Sequence, residues 1–203
     1  MSAELPSKPP ETSEPFHELL AARWSPRAFR TDIEVTDRQL RALLEAARWA
    51  ASSGNTQPAR YLVGKRGTGT FDRILGTLSG GNKVWAQRAG VLLIGVAVTE
   101  NAKGTIPLAE YGLALATQNL VLQAVAEGLV AHQMSGFDPA AAHREFALPA
   151  HAAPLVAIAV GAQAEPEALE DEKLISRERA PRNRIPLSEL AFTGTWNEPT
   201  FPA

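Results

Sequence analysis

The stretch A-A-S-S-G-N-T-Q-P-A-R-Y, residues 50–61, separates a predicted helix from a predicted strand. The apolar residues before it recur at the i, i+3, i+4, i+7 spacing of an amphipathic helix, namely Leu40, Leu43, Leu44 and Ala47. The apolar run Tyr61-Leu62-Val63 follows it, so the stretch is predicted to be a helix-to-strand loop. Its hydroxyls, amides, glycine and proline place many hydrogen-bonding groups on a semi-rigid turn. Such a loop suits a polar ligand, although the same residue types also make an ordinary solvated turn.

Length and composition predict one domain. The 203 residues are 45% hydrophobic and 21% charged, which is enough for a single α/β core. The net charge of -2 argues against a general nucleic-acid binder, and the absence of cysteine excludes disulfides and thiolate metal sites. Residues 1–15 are rich in proline and polar residues, so we expect a disordered tail before a domain at residues 16–203. We expect a cytoplasmic protein with no membrane-spanning segment.

The segment R-W-S-P-R-A-F, residues 23–29, carries the first candidate binding residues. Arg23 and Arg27 offer forked donors and Ser25 a small hydroxyl donor, and Pro26 stiffens the backbone between them. Together these groups can converge on a phosphate or another anion. The alternative is that the two arginines pair with carboxylates or stay solvated.

The remaining elements mix helices and strands. Thr36 to Gln39 reads as a capping box that starts the Leu40 helix, and Thr70 is predicted to cap a helix that Ser79-Gly80-Gly81-Asn82 breaks. Residues 90–98 and 155–160 are apolar runs typical of buried strands. Because these elements lack a regular βαβ order, we expect an α+β fold rather than a doubly wound sheet.

A single long helix is predicted from Leu108 to Val130, ended by Gly128. It is so apolar that it must be covered on more than one side. The covering can come from the same chain or from a second subunit, and the helix alone does not decide between them. The predicted broad apolar side consists of Tyr111, Leu115, Asn119, Leu122, Val125 and Leu129.

The last charged block, residues 177–186, contains a second pair of candidate residues. Arg182 and Arg184 are one residue apart, so an extended backbone places both side chains on the same side. The neighbouring carboxylates also allow a solvated, mixed-charge surface.

Taken together, these segments resemble the nitroreductase family of FMN-dependent NAD(P)H oxidoreductases. The resemblance lies in Arg23-x-Ser25-x-Arg27-x-Phe29, in the Ser-Ser-x-Asn-x-Gln-Pro loop, and in the basic pair before Pro186-Leu187. The long-helix segment G-L-A-L-A-T-Q-N-L and the terminal P-L-V-A-I-A-V-G also match. The resemblance implies a nitroreductase-like α+β fold, with a central mixed, mainly antiparallel β-sheet flanked by helices, in an intertwined homodimer.

The resemblance also implies roles for individual residues. Arg23, Ser25, Arg182 and Arg184 would hold the FMN phosphate, and Arg27 would lie at the pyrimidine edge of the flavin and tune it. The remaining cofactor-binding residues would be Ser52, Ser53, Asn55 and Gln57 of the loop, typically from the other subunit, and the backbone of Ser135 and Gly136 facing flavin N5. The chain departs from the family pattern at Ala51, Ala59, Ala86 and Ser135.

The implied reaction is a ping-pong transfer of hydride from NADH or NADPH to FMN and then of electrons to a small nitroaromatic, quinone or related acceptor. No side-chain general base is needed, and the sequence shows no convincing catalytic triad or carboxylate pair. The four histidines lack metal-ligand spacing, so no metal is predicted. The alternative is a flavin-binding protein of the same fold without reductase turnover, which stores, senses or destroys flavin or dehalogenates its substrate.

Overall fold

A computed structural model describes residues 7–202 of the chain. Residues 1–6 of the predicted tail lie outside the described residues. Residues 7–17 run without a helix or strand up to the first helix. Among them, the Lys8 ammonium lies 4.3 Å from the centroid of the Trp24 ring.

Within residues 7–202 the α-helices range from 4 to 18 residues and the strands from 2 to 10 residues. The helices are α1 (Glu18–Ala22), α2 (Asp37–Arg48), α3 (Gly69–Thr77), α4 (Gly80–Ala86), α5 (Ala109–Ala126), α6 (Pro139–Glu145), α7 (Glu172–Arg179) and α8 (Leu187–Leu190). The strands are β1 (Ala59–Lys65), β2 (Val91–Val98), β3 (Glu100–Asn101), β4 (Gly104–Thr105), β5 (Val130–Met134) and β6 (Ala152–Gly161). Short 3-10 helices cover Ser53–Asn55 and Pro166–Leu169.

A four-stranded sheet in the order β1-β2-β6-β5 forms the centre of the fold. All three strand pairs in it are antiparallel. Strand β2 is buried along nearly its whole length, as its continuous apolar run predicts. The predicted α+β fold with an antiparallel sheet flanked by helices is therefore confirmed.

Helices cover both faces of this sheet. On one face, Leu43 of α2 and Leu120 of α5 pack against Leu93 of β2. On the other face, Phe71 of α3 and Trp85 of α4 pack in a cluster with Leu92 and Ile94, among others. Because successive strand residues point to opposite faces, the run Leu92-Leu93-Ile94 supplies both layers.

Two local predictions about helix starts have different outcomes. The capping box is confirmed, since Thr36 Oγ1 accepts from the Gln39 N–H at 3.2 Å and Gln39 Oε1 accepts from the Thr36 N–H at 3.1 Å. The prediction for α3 is wrong: Thr68, not Thr70, caps this helix, because Thr68 Oγ1 accepts from the Phe71 N–H at 3.3 Å. Thr70 lies inside the first turn.

The turn predicted at residues 79–82 is shorter than expected. Helix α3 ends at Thr77, and Gly80 already begins α4. The Ser79 carbonyl accepts from the backbone N–H groups of Asn82 and Lys83, both at 3.0 Å. The two glycines therefore start a helix instead of only ending one.

Helix α5 is shorter than predicted, because it begins at Ala109 and ends at Ala126, whereas Val130 belongs to β5. Gly128, with a φ of 71°, does end it as predicted. Its buried residues are Ala109, Gly112, Leu113, Ala116, Thr117, Leu120, Val121 and Ala124. The predicted apolar side is the more exposed one, and Tyr111 is 60% exposed.

No helix between residues 7 and 202 is long and apolar enough to cross a membrane.

Candidate functional site

The segment after α1 presents the first predicted residues on one side of an extended backbone. Trp24, Pro26 and Ala28 are buried, whereas Arg23, Ser25 and Arg27 between them are half-buried. This alternation follows from the period of two in extended chains. A guanidinium N–H of Arg23 donates to Ser25 Oγ at 3.4 Å. The structure thus brings the three residues to one surface.

Arg182 joins this surface from the other end of the sequence. Its Nη1 donates to the Arg23 carbonyl at 2.6 Å and its Nη2 donates to the Ala21 carbonyl at 2.8 Å. Its buried Nε has no hydrogen-bond partner in the described structure. Arg182 therefore anchors the segment after α7 to the end of α1 and carries the exposed Arg184 with it.

The charges of these arginines are not neutralised by nearby carboxylates. Between residues 7 and 202, none of Arg23, Arg182 and Arg184 forms an ion pair with a carboxylate. Burial lowers the pKa of Arg23, and the charges of Arg182 and Arg184 lower it further. Neighbouring cations that weaken each other's charged forms would be stabilised by an anion. This cluster, Arg23, Arg182 and Arg184 with the Ser25 hydroxyl, is called the arginine cluster below.

Arg27 has different surroundings, because a carboxylate lies behind it. Its Nη1 is 3.9 Å from Glu178 Oε2, and the Glu178 side chain is only 1% exposed. Glu178 Oε1 accepts from the backbone N–H groups of Arg27 at 2.8 Å and Ala28 at 3.1 Å. Burial lowers the pKa of Arg27, and Glu178 partly opposes this.

Sequence analysis missed Glu178, which it counted with the mixed-charge surface. One signal was available: Glu178 follows Ile175 by three residues on α7, so the two share a helix face. Both are buried.

His132 of β5 packs behind the same segment. Its Nδ1 donates to the Pro26 carbonyl at 3.0 Å, and its ring centroid lies 4.6 Å from that of Trp85. Burial, followed by the charge of Arg27, lowers its pKa to about 4. His132 is therefore a neutral packing residue at neutral pH, and it ties β5 to the arginine-bearing segment.

The predicted backbone site at Ser135 and Gly136 follows β5 directly. The Gly136 carbonyl accepts from the Ser79 N–H at 2.9 Å and from Asn82 Nδ2 at 3.0 Å. A Cβ atom on Gly136 would lie 2.6 Å from Asn82 Nδ2, so a larger residue here would displace the Asn82 side chain. Ala86, one of the residues at which the chain departs from the expected pattern, is fully buried in the core. The side-chain amide beside Gly136 is that of Asn82.

The loop at residues 50–61 forms a tight, polar turn. Ser52 Oγ accepts from the Gln57 N–H at 3.0 Å, and the Asn55 carbonyl accepts from Gln57 Nε2 at 3.2 Å. Ser53 begins the 3-10 turn, in which Asn55 has a φ of 55°. A cavity of about 280 Å³ lies beside this loop, between α2, β1 and α5.

One chain does not bring the loop and the arginine cluster together. The loop precedes β1 at one edge of the sheet, whereas Ser135 and Gly136 follow β5 at the other edge. His132 places the Arg23–Arg27 segment at that second edge. Three inter-strand spacings separate the edges, which is about 14 Å. The loop residues Ser52, Ser53, Asn55 and Gln57 thus stand apart from the other predicted site residues.

Comparison with known proteins identifies relatives of this chain. The model of the Nitroreductase family matches residues 20–91, which include the Arg23–Phe29 segment and the loop. A curated relative, the "Uncharacterized 15.4 kDa protein in ask 5'region" of Mycolicibacterium smegmatis, is 35% identical over 151 residues, or 69% of this chain and 99% of that protein. The "Putative NADH dehydrogenase/NAD(P)H nitroreductase" of Streptomyces coelicolor is 27% identical over 171 residues, or 73% of this chain and 84% of that protein.

The fold and the segment order agree with these matches. A crystal structure described as an oxidoreductase containing FMN superimposes with a TM-score of 0.87 and 27% sequence identity. The match covers 93% of this chain and 96% of that one. By its sequence relatives, its motifs and its fold, this chain belongs to the nitroreductase family.

Proposed function

We propose that this protein is an FMN-dependent oxidoreductase that takes hydride from NADH or NADPH and reduces nitroaromatic, quinone or related acceptors by a ping-pong mechanism. The observation that carries the proposal is the arginine cluster, whose half-buried and exposed cations have no carboxylate partners within residues 7–202. The similar structure described as containing FMN and the relative named as an NAD(P)H nitroreductase support it.

The residues of the arginine cluster fit a phosphate group. A phosphate supplies negative charge and several acceptor oxygens, and charge-assisted hydrogen bonds to arginine are the strong ones. Both Nη groups of Arg182 donate to backbone carbonyls, so the main role of Arg182 is to hold Arg23 in place. Arg184 is exposed and forms no ion pair with a carboxylate within residues 7–202. Its Nη1 donates to the Asn183 carbonyl at 2.7 Å, and its other donors can bind the phosphate directly.

The remaining residues would orient the flavin ring system. Bound FMN supplies the chemistry, because it accepts a hydride and passes the electrons to an acceptor. Arg27 would place a positive charge at the pyrimidine edge, where reduction adds negative charge. The backbone of Ser135 and Gly136 would face flavin N5. Its position is held by the two hydrogen bonds to the Gly136 carbonyl.

A homodimer would complete the site. Because Ser52, Ser53, Asn55 and Gln57 stand apart from the arginine cluster within one chain, we infer that a second copy supplies them. The chain carries exposed apolar side chains suited to such an interface. They lie at the start of α5 and after α7, and they are Leu108, Tyr111, Ile185, Leu187, Leu190, Trp196 and Phe201. The cytoplasmic location stays a prediction.

Anaerobic titration with NADH and NADPH tests the proposal. Bleaching of the flavin absorption by one or both nucleotides, followed by recovery on addition of a quinone or a nitroaromatic compound, is the expected result. It also gives the nucleotide preference. A protein that binds FMN but is reduced by neither nucleotide would support the alternative, a flavin-binding protein without reductase turnover.

A further inference from the structure

Glu178 is a buried carboxylate behind the candidate site. Its side chain is 1% exposed, and its Oε1 accepts two backbone N–H bonds, from Arg27 at 2.8 Å and from Ala28 at 3.1 Å. Its Oε2 has no hydrogen-bond partner in the described chain and lies 3.9 Å from Arg27 Nη1. A buried charge is costly, and at Oε2 it is compensated by the charge of Arg27 rather than by a hydrogen bond.

The two oxygens of Glu178 act on different parts of Arg27. Oε1 holds the backbone of residues 27 and 28, so it fixes the extended segment on which Arg23, Ser25 and Arg27 share one side. Oε2 faces the guanidinium without hydrogen bonding to it, so it offsets the charge while leaving the guanidinium donors free. The backbone role requires an oxygen acceptor, whereas the second role requires a negative charge.

We propose that Glu178 is a positioning residue: its negative charge partly neutralises Arg27 and so sets the redox potential of the bound flavin, while its Oε1 holds the backbone of Arg27 and Ala28 in place. The inference rests on the proposed function, because it concerns FMN bound at Arg27. A negative charge beside Arg27 weakens the stabilisation of the reduced, more negative flavin. Glu178 therefore keeps the flavin potential lower than Arg27 alone would allow.

Two substitutions separate the two roles. Glu178→Gln keeps an oxygen that accepts the N–H bonds of Arg27 and Ala28, but it removes the charge. Glu178→Ala removes the charge and leaves both buried N–H groups without a partner. Glu172→Gln is the matched control, since it makes the same charge change at an exposed position of α7, about 9 Å along the helix axis.

The experiment measures dissociation constants of the apoproteins for oxidised and, under anaerobic conditions, reduced FMN. For Glu178→Gln we expect reduced FMN to gain about tenfold in affinity relative to oxidised FMN. This corresponds to an upward shift of about 30 mV in the two-electron potential. Glu172→Gln should leave that ratio at the parental value. Glu178→Ala should also weaken binding of oxidised FMN, because the segment is no longer held.

The outcomes separate this inference from the proposed function. If Glu178→Gln binds FMN with the parental ratio of the two constants, Glu178 is only a structural brace and the inference is wrong, while the function stands. If the parent protein binds no FMN, both are wrong. If circular dichroism shows that Glu178→Ala does not fold, the ratio of the two dissociation constants of Glu178→Gln alone tests the inference.

Discussion

Arg27 and Arg184 are two arginines of the candidate site with different expected effects on a bound flavin. Arg27→Gln should lower the flavin potential, because the reduced flavin loses more stabilisation than the oxidised form. A cation about 4 Å from a charge contributes roughly 4 kcal/mol at an effective dielectric of about 20. The Glu178 charge and the solvent reduce this interaction energy to a fraction of that value. The measurement is a redox titration of the variant with excess FMN. A parental potential would leave Arg27 as a structural arginine.

Arg184→Gln should weaken FMN binding with little change in potential, because a phosphate has the same charge in both redox states of the flavin. The loss of one charge-assisted hydrogen bond, about 1.5–3 kcal/mol, predicts roughly a ten- to hundredfold weaker affinity. Fluorescence titration of apoprotein with FMN measures it. The same titration with riboflavin, which lacks the phosphate, is the control and should show no difference between variant and parent.

His132 predicts a pH dependence of stability. Its pKa is about 4 in the fold, against about 6.5 for an unfolded histidine. Between these values the unfolded chain binds more protons, so stability is full above pH 6.5 and falls as the pH drops towards 4. Between pH 6.5 and pH 4, the free energy of unfolding falls by about 3 kcal/mol because of this histidine.

Urea denaturation between pH 4 and 7 checks this prediction. His132→Asn keeps a donor for the Pro26 carbonyl but does not titrate, so its deficit against the parent at pH 7 should shrink as the pH falls. His151→Asn, at an exposed histidine, should follow the parental profile. Parallel curves for the parent and His132→Asn would exclude this role.

Site residues that lie close together in the sequence could be predicted from their spacing. The others belong to the site because of tertiary contacts, which the sequence does not show. The shared side of Arg23, Ser25 and Arg27 follows from an extended backbone around Pro26, which the sequence shows. The role of Arg182 depends on carbonyls at Ala21 and Arg23, far away in the sequence. Glu178 was missed for the same reason, since its partners are backbone groups at the other end of the chain.

At the level of elements, helix α5 and the polar loop are in close contact. A Cβ atom on Gly112 would lie 2.7 Å from Pro58 Cγ, whereas Gly76 of α3 has open space around it. Gly112→Ala should therefore cost about 1–3 kcal/mol by overpacking. It should also weaken FMN binding by displacing the loop.

Gly76→Ala is the control for the same chemical change. It should be neutral or stabilise α3 by about 0.5–1 kcal/mol, and it should leave FMN affinity unchanged. Urea denaturation and FMN titration of both variants measure these effects. Equal stability and affinity for Gly112→Ala and the parent would contradict the close contact.

Local signals predicted the elements well where only local groups decide. The capping box of α2 needs only Thr36 and Gln39, and it formed as expected. At α3, two threonines could serve as caps, and the sequence did not distinguish Thr68 from Thr70. Helix α5 is apolar on nearly every side, so its periodicity could not indicate which side faces the sheet.

For the molecule as a whole, we expect a homodimer with flavin sites that both chains form. Light scattering at micromolar concentration should give twice the mass of one chain. Leu122→Glu places a charge on the half-buried, more exposed side of α5 and should favour the monomer and weaken FMN binding. Gly76→Glu, which introduces the same charge at an exposed position of α3 with open space around it, is the control. A parental monomer with flavin bound would contradict the shared site.

The identity of the pigment in the purified protein tests most directly whether the protein binds FMN. The arginine cluster provides for one phosphate-sized anion, and the sequence has no glycine-rich dinucleotide turn for a second. We expect a yellow protein that releases FMN on denaturation, as identified by chromatography against FMN, FAD and riboflavin. Release of FAD, or a colourless protein that takes up no FMN, would contradict it.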